Sequence, residues 1–197
     1  MTPRSGLSCA ALAAWLTVGC NMTAGLVSSP RTPTEQLLLT QSLLRGLEQA
    51  TLPFKPGDAV VVETAWPPTH ADFQGDLAFA QAVLASWLER QGVVIGGDHP
   101  TYRMRVLLHA FGLEKHDTFF GIPPIQSLLL PIALPELTLY RAVRNRGYTR
   151  LSIDVADMAS GRQTGQSAGA EATVYHSRYT LLFLISWSST DLLPPPL

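Results

Sequence analysis

The chain has 197 residues, with 14 Lys and Arg against 15 Asp and Glu, a formal net charge of −1, and only 15% charged residues. That balance excludes the basic surface of a nucleic-acid binder, and the length allows one sizeable core with little room for a second full domain. Both cysteines, Cys9 and Cys20, fall at the very start, so neither a disulfide framework nor a cysteine metal site is expected beyond them, and the fold must stand on its core.

Arg4, the apolar run Leu7 to Val18 and the small residue Gly19 make the parts of a secretory signal, since the run is too short to span a bilayer. The next residue is a cysteine, and Thr17-Val18-Gly19-Cys20 resembles the lipobox of bacterial lipoproteins, with Thr17 where that family usually has leucine. The resemblance implies that residues 1–19 are removed and that Cys20 carries a diacylglycerol and an acylated amino terminus. Three acyl chains, palmitate among them, would hold the protein on a membrane. The alternative is an ordinary signal peptide followed by an incidental cysteine. Removing Arg4 with the signal leaves a net charge of −2. Residues 20–31 are mostly small and polar, without periodicity, and are expected to form a flexible tether. By the lipoprotein sorting rule, Asn21 rather than aspartate after the cysteine implies the periplasmic face of the outer membrane.

The domain expected over 32–197 opens with a helix. Thr32 can cap it, Pro33 suits the first helical position and Glu35 can bond back, with the helix running to about Gln49. Leu37, Leu44 and Leu47, with Leu39 and Leu43 beside them, form its apolar stripe. Asp58 to Thr64 reads as a short strand buried on both faces. After a loop containing Trp66 and His70, a helix from about Phe73 to Gln91 places Phe73, Leu77, Ala80, Leu84, Trp87 and Leu88 on one face, with Gly92 at its end. Val93 to Ile95 is a second strand, and the sequence of elements predicts a βαβ crossover. Gly96-Gly97 turns the chain into a longer alternating strand, Tyr102 to Leu113, expected to be antiparallel.

Phe119 to Leu134 is nearly uncharged, and Pro123, Pro124 and Pro131 forbid a spanning helix. Apolar on every side and without periodicity, it is read as a long insertion that docks another protein; the alternatives are that it folds back onto the domain's own surface or lies in the lipid headgroup region. Its candidate contact residues are Phe119, Phe120, Ile122, Ile125, Leu128, Leu129, Leu130, Ile132 and Leu134. Pro135 then opens a predicted helix to about Arg146 that ends at Gly147, with Leu137, Tyr140 and Val143 inward. Arg141, Arg144, Arg146 and Arg150 are assigned to its C-terminal end, where the helix dipole favours cations; a phosphate or lipid-headgroup site is the alternative. Leu151, Ile153 and Val155 form a strand that turns at Asp157 to Gly161 and returns as Arg162 to Val174. Ala168, Ala170, Ala172 and Val174 share one face, so something must pack close to it. Tyr179 to Trp187 is apolar and fits strand or helix, and Leu192 to Leu197 is a proline-rich tail.

Gly165-Gln166-Ser167-Ala168-Gly169 matches the G-x-S-x-G nucleophile elbow. An elbow needs a strand-to-helix turn with the acid before the histidine, whereas here the motif lies inside a returning strand and His176 precedes Asp191. The five histidines form no ligand pair, and His116-Asp117 reads as a loop pair. No catalytic residue, metal or other cofactor is therefore assigned.

This order of elements, an α/β fold with one mixed sheet of about five strands flanked by helices, resembles the periplasmic domain of the curli-secretion channel lipoprotein and the amino-terminal domain of the Tol-system propeller protein. Arg31 to Leu39, Gly121-Ile122-Pro123, Pro135 to Tyr140 and Asp157 to Gly161 also resemble a family of short bacterial lipoproteins of unknown function. The resemblance implies structural motifs and transfers no catalytic residue. The expected protein is a non-catalytic accessory or scaffold of an envelope or secretion assembly. Its partners would be the membrane through the anchor and other envelope proteins or further copies of itself. The alternatives are an envelope hydrolase using Ser167 and a carrier of a lipid or glycan.

Overall fold

The computed structural model describes residues 31–66, 75–126, 133, 134 and 136–193, with 125, 126, 133, 134 and 166–168 as backbone alone. The chain order is α1 (Pro33–Glu48), β1 (Ala59–Ala65), α2 (Asp76–Arg90), β2 (Val94–Ile95), β3 (Tyr102–Ile122), β4 (Ile125–Gln126), β5 (Ala133–Leu134), β6 (Leu137–Asp157), β7 (Gln163–Leu181) and β8 (Ile185–Thr190). Six strands form a mixed sheet in the order β2-β1-β3-β6-β7-β8, one more than the composition of elements predicted, and β4 and β5 pair antiparallel. The described chain divides into two compact units. The first holds 29–115, 144–177 and 189–197; the second holds 116–143 and 178–188, together with residues before Ser29 that lie outside the described ones.

In the first unit, α1 begins as the capping residues dictate. The Thr32 hydroxyl accepts the Glu35 amide at 3.3 Å and the Glu35 carboxylate accepts the Thr32 amide at 2.8 Å. Its buried face is Leu38, Leu39, Ser42, Leu43, Gly46 and Leu47, while Leu37 and Leu44 are only half-buried. The rotation from the leucine-rich stripe has a local cause. Ser42 bonds the Thr149 hydroxyl at 2.8 Å and Gly46 faces Leu151, so small residues set the face that approaches β6. Gly147 completes the contact from the other side, because a β-carbon there would collide with the Leu38 carbonyl.

β1 pairs parallel with β2 across the α2 connection, as the βαβ reading requires. It is buried only at Val60, not on both faces. α2 buries Ala80, Leu84, Trp87 and Leu88, with Leu77 half-buried and Phe73 outside the described residues. β3 pairs parallel with β1, Val60 opposite Tyr102, which corrects the antiparallel expectation. Alternation reports that one face is buried and carries no information on direction; here Met104, Val106 and Leu108 face the core while Arg103, Arg105 and His109 are exposed. Leu151, Ile153, Val155 and Ala170 close the same core. A fully buried leucine such as Leu43 or Leu47 contributes about 2 kcal/mol by removal from water.

The predicted helix over 135–146 is instead the start of β6. Leu137, Tyr140 and Val143 fit a helical spacing, but Thr138, Tyr140, Val143, Tyr148 and Thr149 are strand formers, and Gly147 is a packing residue and no helix stop. The turn after β6 forms as read. The Asp157 carboxylate accepts from the Ser160 amide at 2.7 Å, the Gly161 amide bonds the Asp157 carbonyl, and β7 returns from Gln163.

The second unit contains the distal parts of β3, β6 and β7, the β4–β5 pair and the start of β8. Gly121 packs directly against the backbone of Leu137 to Leu139, an approach no other residue allows. Tyr179 and Trp187 stack across the β7–β8 hairpin, ring centroids 5.4 Å apart.

Candidate functional site

Cys20, the residue predicted to carry lipid, lies outside the described residues, as do Leu128, Leu129, Leu130 and Ile132 of the apolar stretch. Its other members are placed. Phe119, Phe120 and Ile122 form the end of β3, Ile125 lies on β4 and Leu134 on β5, where Ile125 pairs with Leu134. Phe120 and Ile122 are 56% and 48% exposed, and Phe119 is half-buried. Within the region read as a long insertion, Pro123 and Pro124 sit between β3 and β4, and β4 pairs with β5.

A further apolar surface in the same unit escaped sequence reading. Leu137 and Leu139 on β6, and Leu181 to Ile185 with Trp187 on the β7–β8 hairpin, are all exposed, Leu184 to 77%. Tyr179 to Trp187 resolves as this hairpin. The Leu184 amide bonds the Leu181 carbonyl, and the two central residues, Leu182 and Phe183, have φ of 48° and 50°. Both positive angles are left-handed backbone, which Gly and Asn adopt most readily, within the three-residue loop between Leu181 and Ile185. The signal that could have revealed it is the symmetry of Tyr179 and Trp187 about an uncharged tip.

Polar chemistry in this unit centres on Arg141. Its guanidinium donates to Asp117 at 2.7 Å and 3.3 Å and to Glu136 at 3.3 Å, while Glu136 also accepts the Thr138 hydroxyl at 2.7 Å. The Asp117 hydrogen bond, against the cost of burial, raises the Arg141 pKa above its ordinary value. Asp117 is therefore a strand residue with an ion-pair partner and no loop residue. The four arginines read as the end of a helix all lie on β6, so the dipole argument does not apply; Arg146 reaches Glu114 at 3.8 Å.

In the first unit, Ser167 lies within β7, where Gly169 has φ 55°. His176 is on the same strand nine residues on, about 30 Å away at strand rise. The Asp191 carboxylate is bound to the Tyr175 amide and to Arg45, each at 2.7 Å. These three residues do not form a triad. A cleft of about 290 Å³ is lined by Arg31, Gln36, Leu39, Gly75, Asp76 and Phe79. Its polar side is the Arg31–Asp76 ion pair, whose oxygens lie 2.5 and 2.6 Å from the guanidinium, so Arg31 is tied to the fold. Partial burial, then a hydrogen bond to Glu171, raise the Tyr148 hydroxyl above its usual range. Among the described residues no group of three or more His, Cys, Asp or Glu is placed to hold a metal, and no helix is long and apolar enough to cross a membrane.

No protein-family model and no curated protein matches the chain. Similar solved structures include a Xanthomonas campestris protein of the DUF330 family, 12% identical with a TM-score of 0.31 over 64% of this chain and 74% of that one. Another is a putative neuraminyllactose-binding hemagglutinin homolog from Helicobacter pylori, 13% identical with a TM-score of 0.31 over 72% and 78%.

Proposed function

We propose that this chain is an outer-membrane lipoprotein, anchored through Cys20 on the periplasmic face, that acts as a non-catalytic accessory or scaffold in an envelope assembly. The reading draws its relatives from the short lipoproteins of unknown function and the curli and Tol domains named above. The observation that carries it is the exposed apolar end of β3, Phe120 and Ile122, continuing into the uncharged stretch to Leu134. A monomer rarely leaves such a surface in water, so a partner covers it. Two measurements test the reading. Mass spectrometry of the mature amino terminus should find an acylated Cys20; an unmodified thiol, or cleavage elsewhere, removes the anchor. Cross-linking in native membranes should capture a complex that is lost in Phe120→Asp/Ile122→Asp with near-normal melting. A large fall in melting temperature with the complex intact would return these residues to the core.

A further inference from the structure

We propose that the β7–β8 hairpin is a membrane-dipping element whose turn, Leu181 to Leu184, enters the acyl chains of the bilayer that carries the anchor. The identity of that bilayer rests on the anchored reading above. The turn itself is the first argument. Asn and Gly adopt left-handed backbone readily, yet this turn holds Leu182 and Phe183 in it, a conformation that bulky side chains disfavour. Those side chains recover only part of that cost by burial within the protein, because Leu182, Phe183 and Leu184 are 49%, 57% and 77% exposed. The turn residues are strained and solvent-facing at once, and an apolar medium would offset the strain by taking up the exposed side chains.

The order of residues along the hairpin is the second argument. Charged Arg178 and Asp191 flank it and the stacked Tyr179 and Trp187 come next; inside them the Thr180 and Ser186 hydroxyls bond one another at 3.2 Å, and only aliphatic or aromatic side chains form the tip beyond. Charge, then amphipathic ring, then aliphatic carbon is the order in which a bilayer interface sorts side chains. Length decides how far the hairpin goes. Four residues separate Trp187 from Phe183, about 13 Å at strand rise, whereas spanning strands need about 9–11 residues. The tip enters one leaflet and stops.

Lipid is the occupant that the rest of the chain supplies. The 11 residues from Asn21 to Arg31 reach at most about 40 Å however they are folded, so an anchored domain never leaves the neighbourhood of the bilayer. Arg178, at the hairpin's base, has no ion-pair partner among the described residues and complements headgroup phosphate.

The test uses the full chain purified from membranes and reconstituted, in lipid excess, into vesicles of phosphatidylethanolamine and phosphatidylglycerol containing a phosphatidylcholine brominated on its acyl chains. Trp187 is the reporter, its share of the emission obtained by difference with Trp187→Phe. Wild type should lose Trp187 emission to the bromolipid, and Leu182→Asn/Phe183→Gly should lose that quenching while keeping a fold that melts no lower. Unquenched Trp187, as expected if a protein or a second copy covers the tip, overturns the proposal. So does equal quenching in the turn variant. If mass spectrometry shows no acylation, the same measurement on the unacylated chain separates the two readings: quenching that depends on Leu182 and Phe183 upholds the hairpin while the anchor fails.

Discussion

The contact of α1 with β6 can be tested by three glycine-to-alanine substitutions whose outcomes differ in sign. At Gly147 an added β-carbon would overlap the Leu38 carbonyl and lie 3.1 Å from the Leu38 β-carbon. The obstacle is helix backbone and cannot rotate away, so α1 must shift as a body, disturbing Leu38, Leu39 and Leu43, which are all but fully buried. Overpacking in cores costs about 1–3 kcal/mol, and the rigid obstacle places Gly147→Ala at the upper end, about 3 kcal/mol. At Gly46 the new methyl would meet Leu151 at 3.5 Å and Thr149 at 3.8 Å, ordinary contacts. Replacing a helix-interior glycine there should stabilise by about 0.5–1 kcal/mol. At Gly112, in β3, nothing lies within 4 Å, and alanine should change stability by less than about 1 kcal/mol, in the favourable direction.

For a domain of this size, Gly147→Ala should lower the melting temperature by about 6–12 °C and Gly46→Ala should raise it by about 1–4 °C. Circular dichroism during heating reads both, and urea unfolding gives the free energies from the midpoint shift at constant slope. Gly147→Ala melting with wild type would refute the close approach of Leu38 to β6. A loss at Gly46 equal to that at Gly147 would show that the interface admits no methyl anywhere, against the geometry.

Leu182→Asn/Phe183→Gly, by placing residues that tolerate left-handed backbone at both positive-φ positions, should raise stability in detergent-free buffer by about 1 kcal/mol, measured by urea unfolding. Arg31→Ala leaves the Asp76 carboxylate, 7% exposed, without its charged partner and should cost about 2 kcal/mol, with Arg31→Lys restoring only part because the two-pronged contact is lost. Burial pushes the Asp191 carboxyl up, but the Tyr175 amide and Arg45 outweigh it and hold the group below its ordinary value. A depressed folded value means stability that is present above the unfolded value and lost as pH falls through the folded one. Wild type should therefore lose melting temperature more steeply than Asp191→Asn below about pH 4, whereas at neutral pH the variant should be the less stable of the two.

What could be read from the chain alone divides by the range of the forces involved. The start of α1 is legible because Thr32, Pro33 and Glu35 satisfy one another within one turn, and the turn after β6 because Asp157 and Ser160 do the same. The buried stripe of α1 was misplaced because counting leucines gives no weight to Ser42 and Gly46, whose value lies in Thr149 and Leu151, far along the chain. Gly147 shows the same limit more sharply. As local sequence it is a helix stop after an arginine-rich segment, and only the presence of Leu38 above it makes it a strand residue that must lack a side chain.

The β7–β8 hairpin was opaque for a different reason. Residues 181–184 contain no Gly, Asn, Asp or Pro, so nothing marks a turn. The backbone turns there because β7 and β8 pair and the Leu182 amide is held by the Leu139 carbonyl at 2.8 Å, which overrides the preference of both central residues. A sequence that breaks a local rule gains the cost back elsewhere or is marginal at that point. Within the protein, Leu182, Phe183 and Leu184 recover only part of that cost by burial. Pairing within the sheet thus holds the turn in place, and the membrane contact proposed above would add to it: removing the part of these three side chains that is still exposed from water is worth about 3–5 kcal/mol, of the same order as the strain of two left-handed residues, about 2–4 kcal/mol.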